Sequence, residues 1–222
     1  MQDHIIKSVD VEISLLKEAV MEMAKKCENQ LEKAAQALKI MDCTLAKKVF
    51  ENDSQINEIQ HRIEEQAVAF LARRQPMAVD LRQLLAVMKI ASELERIGDY
   101  AANVAQRVTK LSGTPPKEPT DLVIAMANTG RIMIHDAIMA FLMLDLDKAV
   151  AVWNRDDEID SHYFQLMNQM QSQMQQETGL VEDGTQLMFM GRCCERIGDH
   201  ITNIAEEIYF IISGKNFIGQ FE

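Results

Sequence analysis

The residues best suited to bind a ligand in this sequence are acidic side chains that recur in pairs four positions apart. The pairs are Glu95 and Asp99, Asp156 and Asp160, and Glu195 and Asp199, with an incomplete fourth pair of Asp53 and Asn57. A spacing of four places both members on one face of a helix. All-oxygen donor sets favour hard cations such as Mg²⁺, Mn²⁺, Ca²⁺ or oxidised iron over zinc. The pattern therefore predicts metal ions bound by carboxylates.

The positions of these pairs predict that they meet across two helical hairpins. In an antiparallel hairpin, two residues lie level when their positions average to that of the turn. In the first half, Asp53 with Asp99 and Asn57 with Glu95 both average to position 76, a proline. In the second half, Asp156 with Asp199 and Asp160 with Glu195 both average to 177.5, beside Thr178 and Gly179. The first cluster then comprises Asp53, Asn57, Glu95 and Asp99, and the second cluster comprises Asp156, Asp160, Glu195 and Asp199. Because Asn57 carries no charge, we expect weaker ion binding at the first cluster.

Other interpretations of the acidic pairs stay open. One is a salt-bridge network with nearby arginines, but Arg96 and Arg196 directly follow glutamates, and adjacent side chains do not share a helix face. The sequence therefore predicts that Arg96 and Arg196 are poor partners for the acidic pairs. A catalytic di-iron bundle needs two Glu-x-x-His motifs, and only Glu58 to His61 fits. We expect a protein that is not an enzyme; a metal-dependent helical oxidase, an ion store and an ion-free structural scaffold are the alternatives.

In the two Glu–Asp pairs, a glycine precedes the aspartate, Gly98 before Asp99 and Gly198 before Asp199. A glycine inside a helix costs about 1 kcal/mol relative to alanine. Close approach of another helix or of the ion cluster would explain both positions, and simple close packing is the alternative.

Long helices must position these residues. The chain has 222 residues, of which 47% are hydrophobic, and its nine glycines and four prolines supply too few turns for a sandwich or barrel. Apolar residues recur three and four positions apart, a spacing typical of bundle helices. Asp42 and Asp145 are predicted N-caps. The predicted helices span residues 4–40, 43–73, 78–111, 120–143, 146–177 and 183–213.

The two halves of the chain repeat one another. Residues 37–57 align with residues 140–160 at an offset of 103, and LERIGDYAANVA aligns with CERIGDHITNIA at an offset of 100. The proline-rich segment 112–120 separates the halves. The sequence therefore predicts an all-α fold of two tandem three-helix bundles, six long helices in total, related by internal pseudosymmetry over residues 1–111 and 112–222.

The charge of the chain argues against some partners. The formal net charge of −11 repels phosphate backbones and anionic membranes, so we expect no direct nucleic-acid binding and membrane association only through partner proteins.

The four cysteines show no CxxC spacing, which favours reduced thiols. The first residues lack a basic signal-peptide region, and the longest apolar run, residues 137–144, is too short for a membrane span. A cytoplasmic location is expected.

Two stretches carry a family resemblance. ARRQPMAVDLRQLLAVMKIASELERIGDYAANVAQRV in the first half and RCCERIGDHITNIAEEIYFIISG in the second strongly resemble the PhoU family of bacterial phosphate-transport regulators. The resemblance covers essentially the whole chain. It implies a cytoplasmic negative regulator, usually a homodimer, that links the ATPase subunit of the phosphate ABC transporter with the sensor histidine kinase of the phosphate response.

The resemblance also implies site residues. Metal-binding members of the family use E(D)xxxD motifs, which correspond here to Glu95 with Asp99, Asp156 with Asp160, and Glu195 with Asp199. The sequence departs from that pattern at Asn57, where an acid would complete a fourth motif. Mn, Mg or Fe is the expected ion, and the first cluster is the doubtful one.

Overall fold

The chain folds into long helices. The computed structural model describes residues 2–77, 79–215 and 217, with side chains from residue 11 onward. Its helices are α1 (Gln2–Ile40), α2 (Cys43–Glu51), α3 (Ser54–Arg74), α4 (Val79–Val108), α5 (Lys117–Met143), α6 (Leu146–Gln176) and α7 (Val181–Ser213), with one 3₁₀ turn at Thr178–Leu180. The predicted all-α fold is confirmed. Residue 78, the predicted start of the third long helix, lies outside the described residues.

Aspartates begin the middle helix of each half, as predicted. Asp42 Oδ1 accepts hydrogen bonds from the backbone N–H groups of Thr44 and Leu45. Asp145 Oδ1 accepts one from the N–H of Lys148. These bonds satisfy backbone donors that have no partner inside the helix.

The predicted continuous helix over residues 43–73 is wrong at Asn52 and Asp53, where the chain divides into α2 and α3. The backbone bonds contract there to a spacing of three, from Asp53 N to Phe50 O and from Ile56 N to Asp53 O. The Asn52 side chain and the Asn52 backbone N–H both donate to Lys48 O, at 2.7 and 3.2 Å. The corresponding helix of the second half, α6, is uninterrupted.

The proline-rich segment is shorter than predicted, because α5 begins at Lys117 and not at residue 120. Pro119 lies in the first turn of α5 and is buried. Proline is tolerated there because the first N–H groups of a helix have no acceptor within it.

The two halves pack side by side along their lengths. Helix α4 packs against α7, and α1 packs against both α4 and α5. One hydrophobic cluster continues through both halves. At Gly130 of α5, a Cβ atom would lie 3.3 Å from Leu31 of α1 and 3.4 Å from Ile197 of α7, so the three helices meet closely at this point. Nowhere in the described chain is there a helix with the length and apolar character of a membrane span.

Candidate metal centres

The second cluster forms where α6 and α7 run antiparallel. Asp156 and Asp160 lie on α6, and Glu195 and Asp199 lie on α7. Burial raises the pKa of Asp156 most, and together with the charges of Asp160, Asp199, Glu195 and the neighbouring Asp157 it brings the pKa to about 7. The four carboxylates are therefore close enough to interact, as the matched positions along the hairpin predict.

Two other acids of the second cluster, Asp160 and Glu195, also have raised pKa values. Burial raises the pKa of Asp160, and the charges of Asp199 and Asp157 add to the effect. Burial and the Asp199 charge also raise the pKa of Glu195, although Arg192 and Arg196 act in the opposite direction. Clustered negative charge in a partly desolvated site favours binding of a proton or a cation.

Gly198 allows the Asp156 carboxylate to reach the surface of α7. A Cβ atom at position 198 would collide with Asp156 Oδ1, and it would also lie 3.3 Å from Ile159 Cδ1. In the first half, a Cβ atom at Gly98 would lie 2.8 Å from Ile56 Cδ1 and 3.4 Å from Asp53 Oδ1. A neighbouring helix and a carboxylate therefore approach each of these glycines closely.

Two oxygens of the second cluster are buried without a hydrogen-bond partner, Asp156 Oδ1 and Glu195 Oε2. A buried acceptor that lacks a partner is costly, because it has lost its bonds to water. Hard cations bind such oxygens well. The donor chemistry of the second cluster therefore fits a metal such as Mn²⁺, Mg²⁺ or iron.

The first cluster lies between α4 and the junction of α2 with α3. Burial raises the pKa of Asp99 to about 6, with further contributions from the charges of Glu95 and Asp53 and from a hydrogen bond with Asp53. Asn57 Oδ1 is buried and has no hydrogen-bond partner. Asp53 and Asp99 thus meet across the hairpin, and the neutral Asn57 occurs where the second cluster has an acid.

Sequence reasoning missed one residue of the first cluster, Gln30 of α1. Its Nε2 donates to Asp53 Oδ1 at 2.9 Å and to the Gly98 carbonyl at 3.3 Å. Gln30 is only 7% exposed and occurs on the apolar face of α1 with Cys27 and Leu31. A single amide among buried apolar positions is the signal that could have identified it.

The prediction that Arg96 and Arg196 are poor partners is wrong. Arg196 Nη1 donates to Asp199 Oδ2 at 2.8 Å, and Arg96 Nη1 lies 3.6 Å from Asp99 Oδ2. Each arginine reaches the acid three positions later, a spacing that does share a helix face. Arg192 pairs in the same way with Glu195. These arginines are substantially exposed, so each pair contributes little to stability.

The arginine pairs affect how the acids are arranged. Among the described residues, no three or more His, Cys, Asp or Glu side chains are arranged so that they could hold a metal ion. Glu195 and Asp199 instead bond to arginines, while Asp156 Oδ1 lies without a partner beside Gly198. Ion binding at the second cluster would require Glu195 and Asp199 to exchange their arginine partners for the ion.

Comparison with known proteins shows a consistent likeness in sequence. A family model described as the PhoU domain matches residues 20–108 and 123–208. The phosphate-specific transport system accessory protein PhoU homolog of Caulobacter vibrioides is 34% identical, over 99% of this chain and 96% of that protein. The phosphate-specific transport system accessory protein PhoU of Escherichia coli K12 is 32% identical, over 96% of this chain and 89% of that protein.

Solved structures show the same likeness in fold. The crystal structure of PhoU from Pseudomonas aeruginosa superposes with a TM-score of 0.88 at 32% identity, covering 93% of this chain and 99% of the other. The phosphate transport system regulatory protein PhoU from Streptococcus pneumoniae gives a TM-score of 0.89 at 27% identity, covering 95% and 99%. The arrangement of helices is therefore shared over nearly the full length of both chains.

Proposed function

This chain belongs to the PhoU family, and from that premise we propose that it is a cytoplasmic negative regulator of phosphate uptake and of the phosphate-starvation response. The observation that carries the proposal is likeness over almost the whole chain to proteins named as accessory proteins of the phosphate-specific transport system. An accessory role also supports a function without catalysis.

The regulator would act by protein contact. We infer that its partners are the ATPase subunit of the phosphate ABC transporter and the phosphate-sensing histidine kinase, and that a homodimer is the working form. The net charge of −11 supports this mode of action over direct binding to DNA, because DNA binding requires a basic surface that neutralises phosphates.

The carboxylate clusters would bind hard metal ions. At the second cluster, Asp156, Asp160, Glu195 and Asp199 would supply the oxygens; at the first, Asp53, Glu95 and Asp99 would do so. A bound cation would neutralise the mutual repulsion of the acids and connect the two helices of the hairpin. The buried Asp156 Oδ1, which has no hydrogen-bond partner, supports this assignment; Glu195 Oε2 also lacks a hydrogen bond but lies 3.6 Å from Arg196 Nε.

Deletion of the gene in its host tests the regulatory role. We expect phosphate-scavenging genes to be expressed even in phosphate-rich medium, and the wild-type chain supplied in trans should restore repression. Pull-down from a membrane extract, with and without phosphate, should recover the transporter ATPase or the kinase. Normal repression in the deletion strain would refute the regulatory function and leave the fold unaffected.

A further inference from the structure

The first cluster already contains a polar partner for its partly buried aspartate, Asp53. Gln30 approaches from α1, a helix outside the α3–α4 hairpin, and donates one hydrogen bond to Asp53 Oδ1. Its second bond, to the Gly98 carbonyl, orients the amide so that its nitrogen faces the aspartate. The bond to Asp53 is charge-assisted, a kind of bond stronger than one between neutral groups.

The second cluster has no such partner. The offset of 103 that aligns Asp53 with Asp156 also aligns Gln30 with Met133 of α5. Both residues are buried in their helices, but methionine has no hydrogen to donate. This difference agrees with the hydrogen bonds, since Asp53 Oδ1 has a donor whereas Asp156 Oδ1 has none.

We propose that Gln30 acts as an internal substitute for a cation at the first cluster, and that Met133 leaves the second cluster dependent on a bound ion. Gln30 thus contributes, separately from Asn57, to the difference in ion affinity between the two clusters. The inference rests on the proposed ion binding of the carboxylate clusters. A cation that binds Asp53 Oδ1 competes with the Gln30 amide for the electron density of that oxygen, whereas Asp156 Oδ1 of the second cluster has no hydrogen-bond partner.

This effect is separate from the missing charge at Asn57. Asn57 reduces the attraction of the first cluster for a cation, while Gln30 competes with the cation for an oxygen that is present. The two contributions can therefore be distinguished by substitution, since only Gln30 acts by donating a hydrogen bond to Asp53.

The test measures Mn²⁺ affinity by calorimetry in a background that carries Asp156→Ala, Asp160→Ala and Asp199→Ala. Only one acid of the second cluster, Glu195, then remains, so binding at the first cluster is observed alone. Gln30→Met removes the donor with little change in side-chain volume, and Gln30→Leu removes it with a second apolar side chain that adds no charge and no ligand. Both should tighten Mn²⁺ binding by about tenfold, the size expected for loss of one competing hydrogen bond to a charged group. In the otherwise wild-type chain, Met133→Gln should weaken the second cluster.

The melting temperature of each variant in EDTA serves as the control for packing, because a purely structural role for Gln30 would lower it without tightening Mn²⁺ binding. Unchanged or weaker first-cluster binding in both Gln30 variants would overturn the inference. Failure of the first cluster to bind Mn²⁺, both with and without Gln30, would also overturn the inference. If the second cluster still binds Mn²⁺ in those cases, the proposed ion binding survives there; absence of Mn²⁺ binding by the wild type would refute both.

Discussion

Asp156 shows how one side chain is affected by its surroundings. Its carboxylate lies against the backbone of α7 at Gly198, and one of its oxygens is buried without a hydrogen-bond partner. Burial and four neighbouring acids raise its pKa to about 7. In the absence of metal, this residue is therefore protonated over a range in which an ordinary aspartate is charged.

The free energy of unfolding should reflect that shift when metal is chelated. Because the folded state holds a proton that the unfolded state has already released, stability from Asp156 is complete below about pH 4 and is lost as the pH rises towards 7. Asp156→Asn should flatten this decline and stabilise the chain at pH 8 by about 1 kcal/mol after allowance for solvent screening. Urea unfolding in EDTA at pH 5 and pH 8 measures the effect.

Glu158→Gln is the matched control, because it removes one negative charge from an exposed position of the same helix. It should leave most of the pH dependence in place. If both substitutions change the pH dependence equally, general repulsion across the chain, and not the buried Asp156, is responsible.

At the scale of the helices, the two hairpins differ although their sequences repeat. Helix α6 is continuous past Asp156, whereas the chain breaks between α2 and α3 at Asp53. The α6–α7 hairpin carries four acids in its cluster, and the corresponding hairpin of the first half carries three acids and Asn57. The hairpins therefore offer a cation different amounts of negative charge.

Titration with Mn²⁺ should consequently fill the α6–α7 hairpin first. Ligand charge strongly tunes affinity for hard cations, and a bound ion also relieves repulsion among the acids. Asp199→Ala should remove the tighter phase, and Asn57→Asp should strengthen the weaker one. Calorimetry of the three chains measures both phases, and equal affinities or an unchanged titration for Asp199→Ala would contradict this prediction.

At the scale of the whole molecule, the two halves share a core and a polar interface. Between α4 and α7, His200 Nδ1 lies 2.7 Å from Glu93 Oε2, and Asn203 donates to the same oxygen at 3.0 Å. Lys89 of α4 pairs with Glu207 of α7 at 2.7 Å. Together with the continuous apolar cluster, these contacts connect the repeats along their length.

The chain should therefore unfold in one cooperative transition despite its internal repeat. Ile197 is fully buried where α1, α5 and α7 meet, so Ile197→Ala should cost about 3 kcal/mol and lower the melting temperature of both halves together. Far-UV circular dichroism reports on both halves, and the fluorescence of Trp153, the single tryptophan, reports on the second. Two transitions, or curves that do not coincide, would show that the halves unfold independently.

Much of this molecule follows from the sequence because helices have a fixed rise of about 1.5 Å per residue. Once two helices are known to form a hairpin, position alone decides which residues lie level, and Asp156 meets Asp199 as the turn near Thr178 predicts. Apolar spacing and N-cap residues likewise locate the long helices, with errors of a few residues at their ends.

The tertiary structure determined contacts that the position of a residue along a hairpin cannot predict. Helix α1 is not joined to α4 by a turn, so only packing of the core sets its register, and only that register brings Gln30 to Asp53. The pairing of Arg196 with Asp199 depends on side-chain conformation, which spacing leaves open. The break after Asn52, where the Asp53 N–H bonds to Phe50 O, has no counterpart in α6 although the two segments repeat in sequence. In each case, contacts between residues far apart in sequence, or small differences in free energy, select one side-chain or helix arrangement among several that the local sequence allows.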